Sequence, residues 1–205
     1  MSKTLVVSYL PAGAQSITKK LLDAFLEESK GKTTVIHRNL LKDHPPIHDE
    51  TSMTAYKLRG FMGKELEGEL KKSLEPFDRL MDELKSADHL VMAFPMHNFA
   101  VPGVVKSYID AVSQYGYTIM VGEKGPFGVL SKVPAAVLYA SGGQYDAGSP
   151  RNTVPMVLDI DLNQIGVTDI TYINSGGTLM GDEVLNKNLD AALDRVRGLT
   201  KTWFK

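Results

Sequence analysis

The chain has 205 residues, with 23 Lys and Arg against 24 Asp and Glu, a net charge of −1 and no cysteine. Such a length suits one domain, 1–205, burying roughly 70% of its unfolded surface. The charge balance argues against nucleic-acid or anionic-membrane partners, and the absence of thiols excludes disulfides, thiolate metal sites and cysteine nucleophiles. The opening MSKTLVVSYLPAG has an apolar run broken by Pro11 and no small-x-small cleavage site, so no secretory leader is expected. No window approaches roughly eighteen uninterrupted apolar residues, so no membrane span is expected either. A cytoplasmic location is the expectation.

Thr4–Ser8 is a β-branched run that reads as the first strand. Ile17, Leu21, Leu22, Phe25 and Leu26 follow at helical spacing, with Ser16 as N-cap. Thr33–His37 is the second strand. A polar stretch containing His44-Pro-Pro-Ile-His48 leads into helical patterning through Leu70, Leu74, Phe77, Leu80, Met81 and Leu84. Pro76 either starts a fresh helix there or kinks a longer one. Leu90–Phe94 is the third strand, and Pro102 is placed in the first turn of a helix carrying Val105, Tyr108, Ile109 and Val112. Tyr117–Val121, with Gly122, Gly125 and Pro126 after it, reads as an extended or hairpin excursion. Val133–Ala140 is the fourth strand, with Pro134 confined to its first residues. A helix from about Thr153 to Ile165 stops at Gly166, and Asp169–Ile173 is the fifth strand. The last helix begins near Gly181 and carries Leu185, Leu189, Leu193 and Val196.

Repeated strand–helix alternation, with strands that are continuous apolar runs, predicts an α/β fold with a parallel sheet covered by helices on both faces. In such a sheet ligands bind beyond the carboxyl ends of the strands, where strand order reverses; for order 2-1-3-4-5 that lies between strands 1 and 3. The loop Ser8–Ser16 opens directly into a helix. Its hydroxyls, the Gln15 amide and free main-chain N–H groups suit a monophosphate, or the segment is an ordinary β–α loop with a serine cap. Neither a Walker A nor a G-x-G-x-x-G pattern is present. After strand 3, Pro95-Met96-His97-Asn98-Phe99 carries flat, polarizable and amide-bearing side chains suited to a planar ligand. A hydrophobic staple before the next helix explains Phe99 and Pro102 but not His97 and Asn98 together. After strand 4, Ala140-Ser141-Gly142-Gly143 allows close backbone approach, or is a flexible turn.

These segments, P-M-H-N-F above all, together with MSKTLVVSYLPAGAQS, VPGVVKSYIDAV, GYTIMVGEKGPFGVL and ASGG, resemble the FMN-dependent NADH-azoreductases and related NAD(P)H:quinone reductases of flavodoxin-like fold. The resemblance spans essentially the whole chain. It implies a five-stranded flavodoxin-like sheet and one non-covalent FMN per subunit, the phosphate near Ser8, Ala14, Gln15 and Ser16. The flavin ring would meet Pro95, Met96, His97, Asn98 and Phe99 on one side and Ala140, Ser141, Gly142 and Gly143 on the other. It also implies homodimers with active sites at the interface, NADH or NADPH as co-substrate, and ping-pong hydride transfer to planar acceptors such as quinones and azo dyes. The family often has Tyr at 97, aromatic residues at 119 and 121, and S-R-G-G at 140–143; these departures bear on substrate preference rather than on FMN. Phe99, Ile119 and Val121, with the loop around His44, are expected to wall the substrate slot.

No catalytic acid or base is assigned: His97 either donates a hydrogen bond or proton near the flavin, or is solvent-facing packing. The alternative from another class is a flavodoxin-type electron carrier docking to protein partners, for which a net charge of −1 supplies little steering field. A phosphorelay receiver lacks its acidic cluster after strand 1, and a hydrolase lacks G-x-S-x-G. His44 and His48 flank a Pro-Pro pair that forbids a helical ligand face, so a solvated loop and no metal are expected.

Overall fold

A computed structural model describes residues 1–145 and 148–205. In chain order the strands are β1 (Ser2–Ser8), β2 (Thr33–Asn39), β3 (His89–Pro95), β4 (Ile119–Gly122), β5 (Gly125–Gly128), β6 (Ala135–Ala140) and β7 (Ile170–Ser175). The helices are α1 (Ile17–Glu28), α2 (Glu50–Gly60), α3 (Gly68–Lys85), α4 (Gly103–Val112), α5 (Thr153–Gln164) and α6 (Asp182–Trp203). The main sheet runs β2-β1-β3-β6-β7 with every neighbour parallel, the expected 2-1-3-4-5 order; β4 and β5 pair antiparallel as a separate hairpin.

Alternation along the strands divides the core in two. Val6, Val91, Ala93, Ala136, Leu138 and Ile173 face α1 and α6, meeting Leu21, Leu22, Phe25, Leu189, Ala192 and Val196. Leu5, Val7, Leu90, Met92, Phe94, Val137 and Tyr139 face the other way, onto the buried stripes of α3, α4 and α5. With both faces covered, Leu5–Val7, Leu90–Phe94 and Ala135–Ala140 are unbroken buried apolar runs in the central strands. Each such side chain contributes about 1.5–3 kcal/mol on burial.

Local signals set the boundaries. Ser16 caps α1 by accepting from the Lys19 N–H at 3.1 Å. Helix α5 ends in a Schellman motif: the Gly166 N–H donates to Asn163 O at 3.0 Å and the Val167 N–H to Leu162 O at 2.9 Å, with Gly166 at φ +101°. Pro134 stays just outside β6, and its carbonyl accepts from the Leu90 N–H at 3.0 Å. Pro102 lies one step earlier than expected, at the N-cap of α4 rather than inside its first turn. Helix α3 begins at Gly68 and continues through Pro76 as one element rather than starting afresh there, with Leu74, Phe77, Leu80, Met81 and Leu84 burying its stripe on both sides of the ring. Helix α2 falls outside the sequence expectations. It buries only Ser52 and Ala55, too little for periodicity to register, and its start is set by a reciprocal capping box between Asp49 and Ser52. Among the described residues, no helix is long and apolar enough to cross a membrane.

Candidate functional site

The carboxyl ends of β1, β3, β6 and β7 open onto one cleft of about 420 Å³. The β1–α1 connection contributes Ala12, Gln15, Ser16, Ile17 and Thr18; the exit of β3 contributes Pro95 and Met96; the exit of β6 contributes Ala140 and Gly142. A fourth wall, absent from the sequence reading, comes from Thr178 and Leu179 after β7 and from Leu185 of α6.

On the first wall the Ser16 hydroxyl accepts from Lys19 and keeps its own proton to donate. The N–H groups of Ile17 and Thr18, in the first turn of α1, have no acceptor within the helix and sit at the positive end of its dipole. Thr18 is 1% exposed, and its Oγ1 is buried without a hydrogen-bond partner although the residue lines the cleft. An unpaired buried hydroxyl costs stability unless something else satisfies it. Amides, hydroxyls and no cation among the lining residues suit a compact oxyanion such as a phosphate monoester. Ser8 and Ala14 do not line this cleft. Ser8 is 2% exposed, and its hydroxyl shares a 2.8 Å hydrogen bond with His37 Nε2. Burial lowers the proton affinity of that imidazole.

Beyond β3 the ladder continues for one residue, the Met96 N–H donating to Ala140 O at 2.8 Å, which ties the second wall to the third. The chain then reverses through Asn98 and Phe99. The His97 N–H donates to Ala100 O at 3.0 Å and the Ala100 N–H to His97 O at 2.9 Å, while Asn98 and Phe99 have φ of +48° and +69°. This is a two-residue turn with both central residues left-handed, a geometry that usually takes Asn-Gly. Phe99 therefore occupies a position that glycine would hold without strain, at a cost of about 1 kcal/mol or more. Its ring is 46% exposed and meets Tyr145 edge-on at 5.9 Å, and His97 packs edge-on against Tyr9 at 5.7 Å. His97, Asn98 and Phe99 follow the cleft's Met96 without lining it.

Ser141 turns its hydroxyl inward to Gly143 O at 2.9 Å, so neither Ser141 nor Gly143 lines the cleft. The loop after β7 lies along this segment through its main chain. The Gly177 N–H donates to Gly143 O, Thr178 to Ser141 O and Leu179 to Gly142 O, at 3.0, 3.1 and 3.0 Å. A Cβ on Gly142 would stand 2.9 Å from the Leu179 side chain, so glycine here lets Leu179 approach. The Gly176-Gly177 pair between a strand and a helix was the sequence signal for this wall. Thr18, a lone polar residue on an apolar helix face, was the signal for the buried hydroxyl.

The two residues expected to wall the substrate slot at 119–121 differ in exposure. Ile119 is 1% exposed and packs in the core, whereas Val121 is 70% exposed; neither lines the cleft. The single-residue alternation of a strand sends the two neighbours of Met120 to one side of β4, but its twisted start is buried and its tip is free. The loop around His48 is also not simply solvated. His48 stacks on Phe77 at 4.1 Å and on Tyr56 at 5.5 Å, and burial lowers its proton affinity.

The chain matches the family model described as flavodoxin-like fold over residues 2–199. It is 34% identical to an FMN-dependent NADH:quinone oxidoreductase of Alcanivorax borkumensis over 192 residues, 92% of this chain and 94% of that one. It is 32% identical to the enzyme of the same name from Vibrio vulnificus over 200 residues, 98% of this chain and all of that one. The crystal structure of an FMN-dependent NADH-azoreductase from Bacillus anthracis in complex with FMN superposes with a TM-score of 0.87 at 28% identity, covering 100% of both chains. With its parallel sheet, its phosphate-suited helix terminus and these relatives, the chain belongs to the flavodoxin-like FMN-dependent NADH:quinone oxidoreductase family.

Proposed function

We propose that this protein binds one FMN per subunit without covalent attachment and uses a reduced nicotinamide to reduce planar acceptors, quinones and aromatic azo compounds among them. The observation that carries this reading is the buried, unpartnered Thr18 hydroxyl at the amino end of α1, in a cleft where the polar residues Gln15 and Ser16 gather at that same end while Met96, Leu179 and Leu185 line other parts. When bound, FMN supplies two-electron transfer between donor and acceptor. The amino end of α1 would hold its phosphate: the hydroxyls of the N-cap Ser16 and of Thr18 would donate, together with the first-turn amides. Met96 and the Gly142 backbone flank the planar part, and Leu179 and Leu185 keep water from the far side. Donor and acceptor use one apolar slot in turn, which gives ping-pong kinetics. Exposed Met120, Val121 and Phe127 on the β4–β5 hairpin, with Phe61 and Met62, supply an apolar surface on which two copies pair as a homodimer. A chain without cysteine that draws on NADH fits the cytoplasm.

The deciding experiment is the visible spectrum of the purified protein, followed by anaerobic mixing with NADH and then with a quinone or an azo dye. Bound FMN should bleach with NADH and recover its colour with the acceptor, and reciprocal plots should be parallel. Protein that carries no flavin and takes none up on titration would end this reading; flavin that NADH fails to bleach would point to an electron carrier. Light scattering of the eluting protein tests the dimer.

A further inference from the structure

Helix α5 starts without a side-chain cap of its own. Asn152, its N-cap, makes no capping bond, and its Oδ1 instead accepts from the Tyr139 hydroxyl at 3.3 Å. The opening is closed from a distance of 54 residues in the chain. Both donors of Thr153 converge on the carbonyl of Phe99, the N–H at 3.2 Å and the Oγ1–H at 2.7 Å. That carbonyl belongs to the residue held at φ +69° in the tight turn after β3. Two needs are met together: a helix terminus gains an acceptor for an orphan N–H, and a strained peptide gains a positive dipole end facing its oxygen. Asparagine enters left-handed backbone with little penalty, but phenylalanine does not. Without an outside hold, Phe99 would relax toward ordinary backbone and the paired bonds between His97 and Ala100 would open.

We propose that Thr153 is the positioning residue for the Asn98–Phe99 turn, holding the exposed Phe99 ring, which lies outside the cleft, where an acceptor entering beside Met96 would meet it; this rests on the flavin-reductase reading above. The hydroxyl is the part under test, because any residue but proline at 153 keeps the backbone donor. Thr153→Val preserves shape and β-branching, and Thr153→Ser preserves the hydroxyl.

Hydrogen exchange at the Ala100 amide, measured on the purified protein, reads the turn without reference to activity. Exchange should quicken about tenfold in Thr153→Val and stay within about twofold of wild type in Thr153→Ser. Adding Phe99→Gly to Thr153→Val should restore slow exchange, since glycine takes the left-handed conformation freely. The same Thr153→Val protein should show a quinone KM raised about fivefold and, since donor and acceptor share the slot, bleaching that needs more NADH, with bound FMN unchanged. Unchanged Ala100 exchange in Thr153→Val, or equal behaviour of the Ser and Val variants, would overturn the clamp. Quickened exchange with an unaltered quinone KM would overturn the assignment of Phe99 to the acceptor slot. A wild-type protein that neither binds flavin nor turns over quinone would refute the reductase reading, while the exchange data would still decide the clamp.

Discussion

Thr18 sits on a face of α1 that continues downward as Leu21, Leu22 and Phe25, all buried. A valine there would complete the apolar stripe, so the hydroxyl is a departure that folding alone does not call for. Replacing an unpaired buried hydroxyl with a methyl group of the same shape is neutral or stabilising, whereas losing a hydrogen bond to an anion costs about 1.5–3 kcal/mol. Thr18→Val should therefore leave the urea midpoint unchanged or raised and weaken FMN binding at least about tenfold, measured by fluorescence titration; a parallel fall in stability would show a structural role instead. Ile119 gives the converse case. Being 1% exposed in the core, it cannot accept a tyrosine, and Ile119→Tyr should lower stability by about 1–3 kcal/mol through overpacking, read from urea unfolding.

At the scale of elements, the β4–β5 hairpin is docked against α5 with no room between them. A Cβ on Gly128 would stand 1.9 Å from Ile165 C and 2.0 Å from Gly166 N, both main-chain atoms that cannot swing aside. The Leu130 N–H also donates to Ile165 O at 3.0 Å there. Gly128→Ala should separate hairpin from helix, destabilise the protein by about 3 kcal/mol and quicken trypsin cleavage at the already exposed Lys124 and Lys132. The other end of the hairpin is held by α2 and α3. Arg59 bridges Asp78 at 2.8 Å and Gln114 at 3.1 Å, and the Tyr56 hydroxyl accepts from the Tyr115 N–H at 3.3 Å. Helix α2 thus matters as a buttress despite its thin apolar stripe. Asp49→Ala, which removes half of its capping box, should cost about 1 kcal/mol, visible in the thermal midpoint.

For the whole molecule, burial lowers the pKa of His37, His48 and His89 below the ordinary 6.5. Below that value the unfolded chain binds protons that the folded one resists, so stability is full above about pH 6.5 and falls as pH drops through the lower folded values. The urea midpoint should decline between about pH 7 and pH 5. Asp78, whose pKa burial raises, opposes the trend only nearer the carboxylate range. The fold itself was legible in the sequence because a sheet buried on both faces must be written as apolar runs, and its helices as one-sided stripes. The Ser16 cap, the Gly166 stop and the extended excursion at 119–128 followed from such local chemistry, whereas the strand order came with the family resemblance. The Met96, Gly142, Gln15 and Ser16 walls of the cleft followed from topology, since any parallel sheet gathers the loops at the carboxyl ends of its strands. What only the tertiary structure decided were the partners of individual polar atoms: Ser8 turned to His37, Ile119 sunk in the core, Thr18 left unpaired, and Thr153 reaching Phe99. Periodicity reports which face of an element is apolar, whereas a hydrogen bond between residues 54 apart depends on where two separate loops come to rest.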